Sequence, residues 1–140
     1  MLLINAVNAA GRPVELFVKD GKIAAVGQDL SALAGEGETV LDAGGLTVLP
    51  AFVDLNCHWR TPGFEYKEDI ATGSMAAAAG GYTFVNLMPN TKPICSSAAQ
   101  AAMVEQKAAE VGLCDVNQTV SITENFDGRP STTSRPCLPA

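Results

Sequence analysis

The sequence has few charged residues, and basic residues are the scarcer kind. Lys and Arg total 9 of 140 residues against 15 Asp and Glu, which gives a formal net charge of -6. The basic residues form no cluster, so the composition argues against nucleic acid and an anionic membrane as partners. We therefore expect a small-molecule substrate, other proteins or further copies of this chain as partners.

Patterned cysteines and long apolar runs are also missing. The 4 cysteines are scattered and include no CxxC pair, which argues against a zinc ribbon or a disulfide framework and favours reduced thiols. The N-terminus has no basic region before its apolar run, and that run is too short for a secretory leader or a membrane span. These absences predict a cytoplasmic protein with no membrane partner.

Short β-type runs are present in the first part of the chain. The pair Asp20-Gly21 stands between two apolar runs within residues 14–27, which is a strong signal of a hairpin. Residues 28–37 indicate a loop with one helical turn, and strand character resumes at 39–42 and 46–55. The prediction for residues 1–49 is a small antiparallel β unit.

From residue 50 the pattern changes to alternating strands and helices. Helices are predicted over 65–79 and 97–112, and the strands that follow them over 82–87 and 116–122. The second helix begins with the capping pair Ser97 and Gln100. Its apolar stripe consists of Ala101, Val104, Ala108 and Val111. The order β-α-β-α-β predicts an α/β fold with parallel strands and right-handed crossovers.

The final residues, 129–140, have a different composition. They include three prolines and show no apolar periodicity. Two interpretations are open, a disordered terminus and the out-of-frame end of a truncated reading frame. A three-stranded parallel sheet with helices on one side also leaves a face bare, whereas parallel sheets are stable when both faces are covered. We therefore expect the chain to be a truncated part of a longer protein.

A row of polar residues lies at the end of the first strand after residue 50. Asp54, Asn56 and His58 are two residues apart, so on an extended strand all three face one side. Unpaired polar groups are costly to bury, and such a row predicts a ligand or a hydrogen-bond network. The alternative for His58, the only histidine, is a hydrogen-bonded buried imidazole, and for Asn56 an amide that pairs with nearby backbone.

Two further polar residues follow the ends of neighbouring strands. Arg60 continues the same face, and Asn90 lies in the segment MPNTKP after the next strand. Ligands of parallel sheets bind at this end, where an arginine can pair bidentately with a carboxylate. The alternatives are an arginine directed to solvent and an asparagine with a turn role between two prolines.

These residues occur in motifs that resemble the cyclic amidohydrolases, and among them most of all the dihydroorotases. The motif DxHxHxRxPG is matched at residues 54–63, except that Asn56 stands at the first His. The motifs KEDxxSG, AAAAGG and MPNT have counterparts at 67–73, 76–81 and 88–91. A weaker similarity includes residues 114–128, 21–23 and 41–45.

The resemblance implies the first β-α-β-α-β part of a (β/α)8 TIM barrel, preceded by a small β domain. It also implies one or two zinc ions that activate water for attack on a cyclic amide. By position, His58 is a metal ligand, Arg60 and Asn90 bind the substrate carboxylate, and Asp54 is a partner of the metal-binding side chains. Asn56 would be a poor ligand, because zinc prefers an imidazole nitrogen to an amide oxygen.

The other metal ligands and the catalytic base of this family would come from later strands. We therefore predict no catalytic residue in this chain and no metal centre assembled by it alone. The expected organisation is a β unit at 1–49, a partial barrel at 50–128 and a tail outside the family at 129–140.

Three hypotheses on function follow. The first is part of a dihydroorotase, which converts dihydroorotate to N-carbamoyl-aspartate in pyrimidine biosynthesis; Arg60 and Asn90 favour it over a hydantoinase or allantoinase. The second is a non-catalytic, dihydroorotase-like structural partner of aspartate transcarbamoylase, motivated by Asn56. The third is an enzyme that tolerates Asn56 with a single metal ion.

Overall fold

The computed structural model describes residues 1–129 and divides the chain into two compact units. The first unit is Met1–Pro50, and the second begins at Ala51. Of the predicted tail at 129–140, all but the first residue lies outside the described residues. No helix within residues 1–129 is long and apolar enough to cross a membrane.

The first unit is a five-stranded sheet with the strand order β3-β2-β1-β4, in which β5 also pairs with β1. The Asp20-Gly21 hairpin is confirmed: β2 and β3 pair antiparallel, and both turn residues have the positive φ that a tight hairpin turn requires. The strands are β1 (Leu2–Asn8), β2 (Pro13–Lys19), β3 (Lys22–Gly27), β4 (Val40–Asp42) and β5 (Thr47–Val48).

The sheet is mixed and not purely antiparallel as the sequence suggested. β4 and β5 both run parallel to β1. The connection from β3 contains the predicted helical turn, a 3-10 helix at Leu30–Leu33, and returns the chain to the start of β1. A connection of this length permits a parallel pairing that a two-residue turn cannot make.

The second unit has the predicted alternation of strands and helices. Its strands are parallel in the order β6-β7-β8. The elements are β6 (Phe52–Cys57), α1 (Ile70–Ala79), β7 (Tyr82–Leu87), α2 (Ala98–Val111) and β8 (Asp115–Gln118). The predicted strand run 46–55 is divided between β5 and β6, with Pro50 between them, because proline cannot donate to a strand ladder.

Helix α1 begins five residues later than predicted. Asp69 is its N-cap, and its carboxylate accepts a hydrogen bond from Thr72 N at 2.8 Å while Thr72 Oγ1 accepts one from Asp69 N at 3.1 Å. This reciprocal pair fixes the first turn of the helix. The acidic residue Glu65, which suggested an earlier start, instead accepts a hydrogen bond from Gly63 N.

Helix α2 agrees with the prediction at both ends. Ser97 is the N-cap and Gly112 closes the helix in the left-handed conformation. The predicted stripe of α2 packs against the sheet, and it helps to form the core of the unit. The buried residues of this core are Trp59, Ile70, Val85, Leu87, Val104 and Ala108.

Strand β8 is shorter than the predicted run 116–122. After Gln118 the chain turns back to the loop before α2, where Ser121 N donates to Cys95 O at 2.7 Å. The helices lie over the face of the sheet that carries Val85 and Leu87, and Asn86, the residue between these two, points to the opposite face. Across β6 the register places Asp54 beside Val85 and Cys57 beside Leu87, with an irregularity between them, so the period-two alternation predicted for residues 54–58 is interrupted.

Candidate functional site

The end of β6 and the loop after β7 meet through a side-chain hydrogen bond. His58 Nδ1 lies 2.9 Å from Asn90 Oδ1, and both residues are partly buried. An amide oxygen can only accept, so in the neutral imidazole Nδ1 carries the proton and Nε2 keeps a free lone pair. The structure therefore joins two of the residues that the sequence indicated for the site.

Asp54 and Asn56 have other surroundings. Asp54 Oδ1 accepts a hydrogen bond from the backbone N of Asn56 at 2.9 Å, and the Asn56 side chain is exposed. Within the part of the chain that the structure describes, no hydrogen bond or ion pair joins either side chain to His58. The role of Asp54 as a partner of metal-binding side chains stays a prediction.

Two asparagines that lie side by side on one face of the sheet, Asn86 and Asn117, were missed by sequence reasoning. Asn86 Nδ2 donates to Leu55 O at 3.1 Å, and Asn117 Nδ2 donates to Asn86 Oδ1. The first of these bonds spans the place where the pairing of β6 with β7 is irregular, between Asp54 and Cys57. The signal that could have revealed this row is the alternation of β7, in which Asn86 stands between two buried apolar residues.

A buried aromatic residue fixes the end of β6 between His58 and Arg60. Trp59 is only 3% exposed and belongs to the core under α1 and α2. Helix α1 approaches it at Gly73, where a Cβ atom would lie 2.4 Å from the indole Nε1. The tight packing of Trp59 therefore holds the two polar neighbours in place on either side of it.

Arg60 begins the loop after β6. Its carbonyl oxygen accepts a hydrogen bond from Phe64 N at 3.0 Å, which closes a turn. The side chain is partly buried, and among residues 1–129 no carboxylate forms an ion pair with it. The guanidinium is thus available to an external anion.

A metal ion does not fit the described residues alone. Zinc sites need three or four ligands, whereas no group of three or more His, Cys, Asp or Glu in residues 1–129 could hold a metal ion. Cys57 lies next to His58 in sequence, but burial raises the pKa of its thiol, which disfavours the thiolate that binds metals. The described residues therefore offer one imidazole at this site and too few further ligands to hold zinc.

Three comparisons with known proteins bear on this site. The model of the family described as Dihydro-orotase-like matches residues 45–132. Proteins named dihydroorotase from Geobacter sulfurreducens and Clostridium botulinum are 46% and 43% identical over 115 residues, which is 82% of this chain. One from Mycobacterium tuberculosis is 45% identical over 118 residues. The chain spans only 27% to 28% of the length of these relatives.

Solved structures with a similar fold include two hydantoinases. The L-hydantoinase of Arthrobacter aurescens has a TM-score of 0.65 and 30% identity, over 76% of this chain and 24% of the enzyme. The D-hydantoinase of a Thermus species has a TM-score of 0.62 over 91% of this chain and 29% of the enzyme, and at 24% identity it supports the fold alone. The predicted fold, an α/β portion of an amidohydrolase barrel, is confirmed. Because the family model matches more than half of the chain, this protein belongs to the dihydroorotase-like family.

Proposed function

We propose that this chain provides the substrate-carboxylate site of a dihydroorotase. In this reaction water adds to a ring carbonyl carbon of dihydroorotate, the C–N bond opens, and the departing nitrogen takes up a proton to give N-carbamoyl-aspartate. Membership of the family and the dihydroorotases among its relatives support this proposal. The chain covers under a third of those relatives, so the reaction is proposed for a whole protein that includes these strands.

The observation that carries the proposal is the hydrogen bond between His58 and Asn90. Because Asn90 Oδ1 accepts from the imidazole, its amide NH2 group points elsewhere and can donate to an anion. The guanidinium of Arg60 provides further donors on the adjoining loop, in a planar arrangement that matches a carboxylate. We propose that both side chains bind the carboxylate of dihydroorotate.

The metal is a separate matter. His58 Nε2 is the one nitrogen at this site that could bind zinc, and we propose that role for it in the whole protein. Asn56 is exposed and is a weak candidate for a second ligand. The described residues do not form a zinc site, and we therefore assign no catalytic step to a metal on this chain.

The carboxylate site can be tested by ligand binding to the 140-residue chain. We expect N-carbamoyl-L-aspartate to cause saturable NMR shifts of the Arg60 Nε–H and Asn90 NH2 signals. Dihydrouracil, which lacks the carboxylate, should cause none, and this ligand also separates the proposal from a hydantoinase-like preference. Arg60→Gln should abolish the shifts, whereas Arg12→Gln, at an exposed position of the first unit, should leave them unchanged. Equal binding of both ligands would refute the carboxylate site.

A second candidate function is a non-catalytic structural role, and Asn56 is the observation that favours it. An amide in place of an imidazole weakens metal binding on this face. Aspartate transcarbamoylase as a partner, a homo-oligomer and a cytoplasmic location stay predictions. Zinc analysis of the full-length gene product would decide between the two functions, because stoichiometric zinc with turnover of dihydroorotate is incompatible with a purely structural role.

A further inference from the structure

The loops that follow β6 and β7 contact each other through their backbones. Lys92 N donates a hydrogen bond to Pro62 O at 2.9 Å. Pro62 follows Arg60 by two residues, and Lys92 follows Asn90 by two residues. The two loops that carry Arg60 and Asn90 are therefore joined directly beside these two residues.

Gly63 occupies the closest point of this contact. A Cβ atom at Gly63 would lie 2.1 Å from Lys92 O, 2.7 Å from Lys92 Cβ and 2.9 Å from Lys92 C. Two of these atoms belong to the backbone, so no side-chain rotation can relieve the overlap. Gly63 also has a φ of +97°, which disfavours any residue with a side chain. Only glycine allows the two loops to approach this closely.

A shift of Gly63 would be transmitted to both sides of the site. On its own loop, Phe64 N donates to Arg60 O, so the turn from Arg60 to Phe64 is closed and Gly63 lies within it. On the other loop, Lys92 is two residues from Asn90, whose side chain reaches His58. A displacement of either loop would therefore lengthen the bond between His58 Nδ1 and Asn90 Oδ1.

We propose that Gly63 is a positioning residue that sets the separation of the Arg60 and Asn90 loops and thereby keeps Asn90 on His58. We assign Gly63 no contact with the substrate; its effect passes through Asn90. The inference deepens the proposed function, because the same separation determines whether one carboxylate can reach both Arg60 and Asn90. It adds the requirement that the imidazole of His58 is held with its proton on Nδ1.

The chain offers a direct test, since it has one histidine and one tryptophan. NMR of the imidazole nitrogens, at a pH where the ring is neutral, should show the Nδ1–H tautomer as the dominant form in the wild type. In Gly63→Ala this dominance should be lost. The emission of Trp59 should stay unchanged, because the Trp59 indole packs against Gly73 of α1.

A matched control separates the loop contact from backbone strain alone. Gly81 also has a positive φ, +79°, but a Cβ there would meet Phe52 at an ordinary 3.6 Å. Gly81→Ala should therefore leave the His58 tautomer unchanged. A tautomer ratio in Gly63→Ala equal to that of the wild type, or an equal change in Gly81→Ala, would overturn the proposal.

A measurement on the wild type keeps the proposal testable if Gly63→Ala does not fold. The Lys92 amide should be protected from hydrogen exchange, because it donates to Pro62 O. Exchange of this amide at the rate of an exposed amide would refute the contact and with it the role of Gly63. The ligand-binding test of the proposed function is independent of these measurements. Failure of N-carbamoyl-L-aspartate to bind would refute the carboxylate site and leave the tautomer result intact.

Discussion

Leu87 on β7 is fully buried, and it forms the core of the second unit together with Val85 and Val104. Leu87→Ala should lower the free energy of unfolding by about 2–5 kcal/mol, the usual cost of truncating a buried leucine. Leu55→Ala is the matched control, because Leu55 is 70% exposed and its truncation should cost under about 0.5 kcal/mol. Urea unfolding of both variants measures the difference, and similar midpoints would contradict this assignment of the core.

Gly73 on α1 is a residue at which the usual effect of alanine should be reversed. In an open helix, Gly→Ala stabilises by up to about 1 kcal/mol. At Gly73 the new Cβ would overlap the rigid indole of Trp59, so Gly73→Ala should destabilise by roughly 1–3 kcal/mol. Thermal unfolding followed by the emission of Trp59 provides the measurement. An increase in stability would show that α1 is not packed on Trp59 as described.

The residues of the candidate site could be predicted to different extents. His58, Arg60 and Asn90 stand out in the sequence because strand alternation and motif spacing mark them, and the structure joins His58 with Asn90. The alternation of β7 marks Asn86 as a polar residue between two buried apolar ones, but its partner could not be predicted. Its role depends on the carbonyl of Leu55, 31 residues away, at an irregular place in the strand pairing that no local pattern indicates.

At the scale of elements, α2 depends on its first turn. The Ser97 side chain accepts a hydrogen bond from Gln100 N, and Gln100 Oε1 accepts from Ser96 N at 2.9 Å. Ser97→Ala removes the cap and should cost about 1 kcal/mol. Ser97→Asp keeps an acceptor and should retain most of the stability. Chemical denaturation compares the two, and equal losses would show that the cap is not the cause.

The N-cap of α1 predicts a dependence of stability on pH. Hydrogen bonds from Thr72 lower the pKa of the Asp69 carboxyl below its usual value, so folding favours the charged form. The stabilisation is therefore complete above the unfolded-state pKa of 3.8 and is lost as the pH falls through the lower folded-state pKa. Asp69→Asn should flatten this acid limb in melting temperatures measured from pH 6 to pH 2. An unchanged slope would contradict the contribution of Asp69.

Element types were more predictable than their limits. The ends of α2 follow from Ser97 and Gly112, whose local chemistry is visible in the sequence. The start of α1 does not, because Glu65 has the charge of a first-turn residue but its carboxylate accepts from Gly63 N in the preceding loop. That loop is held by Lys92 from a distant part of the chain, so its conformation cannot be derived from local propensity.

At the scale of the whole molecule, the second unit leaves apolar surface exposed along β6. This strand lies at the edge of the three-stranded sheet, and Phe52, Val53 and Leu55 are 50%, 54% and 70% exposed. Exposed apolar residues on an edge strand favour self-association. We therefore predict that the 140-residue chain associates at increasing concentration.

Leu55→Lys should reduce this association, because it places a charge on the edge strand. Ala78→Lys adds the same charge at an exposed position of α1 and should have little effect. Sedimentation velocity at several concentrations measures both variants. A monodisperse wild-type chain, or equal improvement by both substitutions, would contradict the prediction.

The sequence by itself determined the α/β class, the parallel order of the second unit and the family, because periodicity, capping residues and motif spacing are local properties of the chain. The polar row at residues 54–58 was likewise visible as a period of two. Only the tertiary structure decided what these residues contact: Asn90 bonds His58, Asp54 bonds its own strand, and Asn56 stays exposed. The bond between Asn90 and His58 depends on how two distant loops pack through Gly63 and Lys92, which is a non-local property that spacing cannot encode.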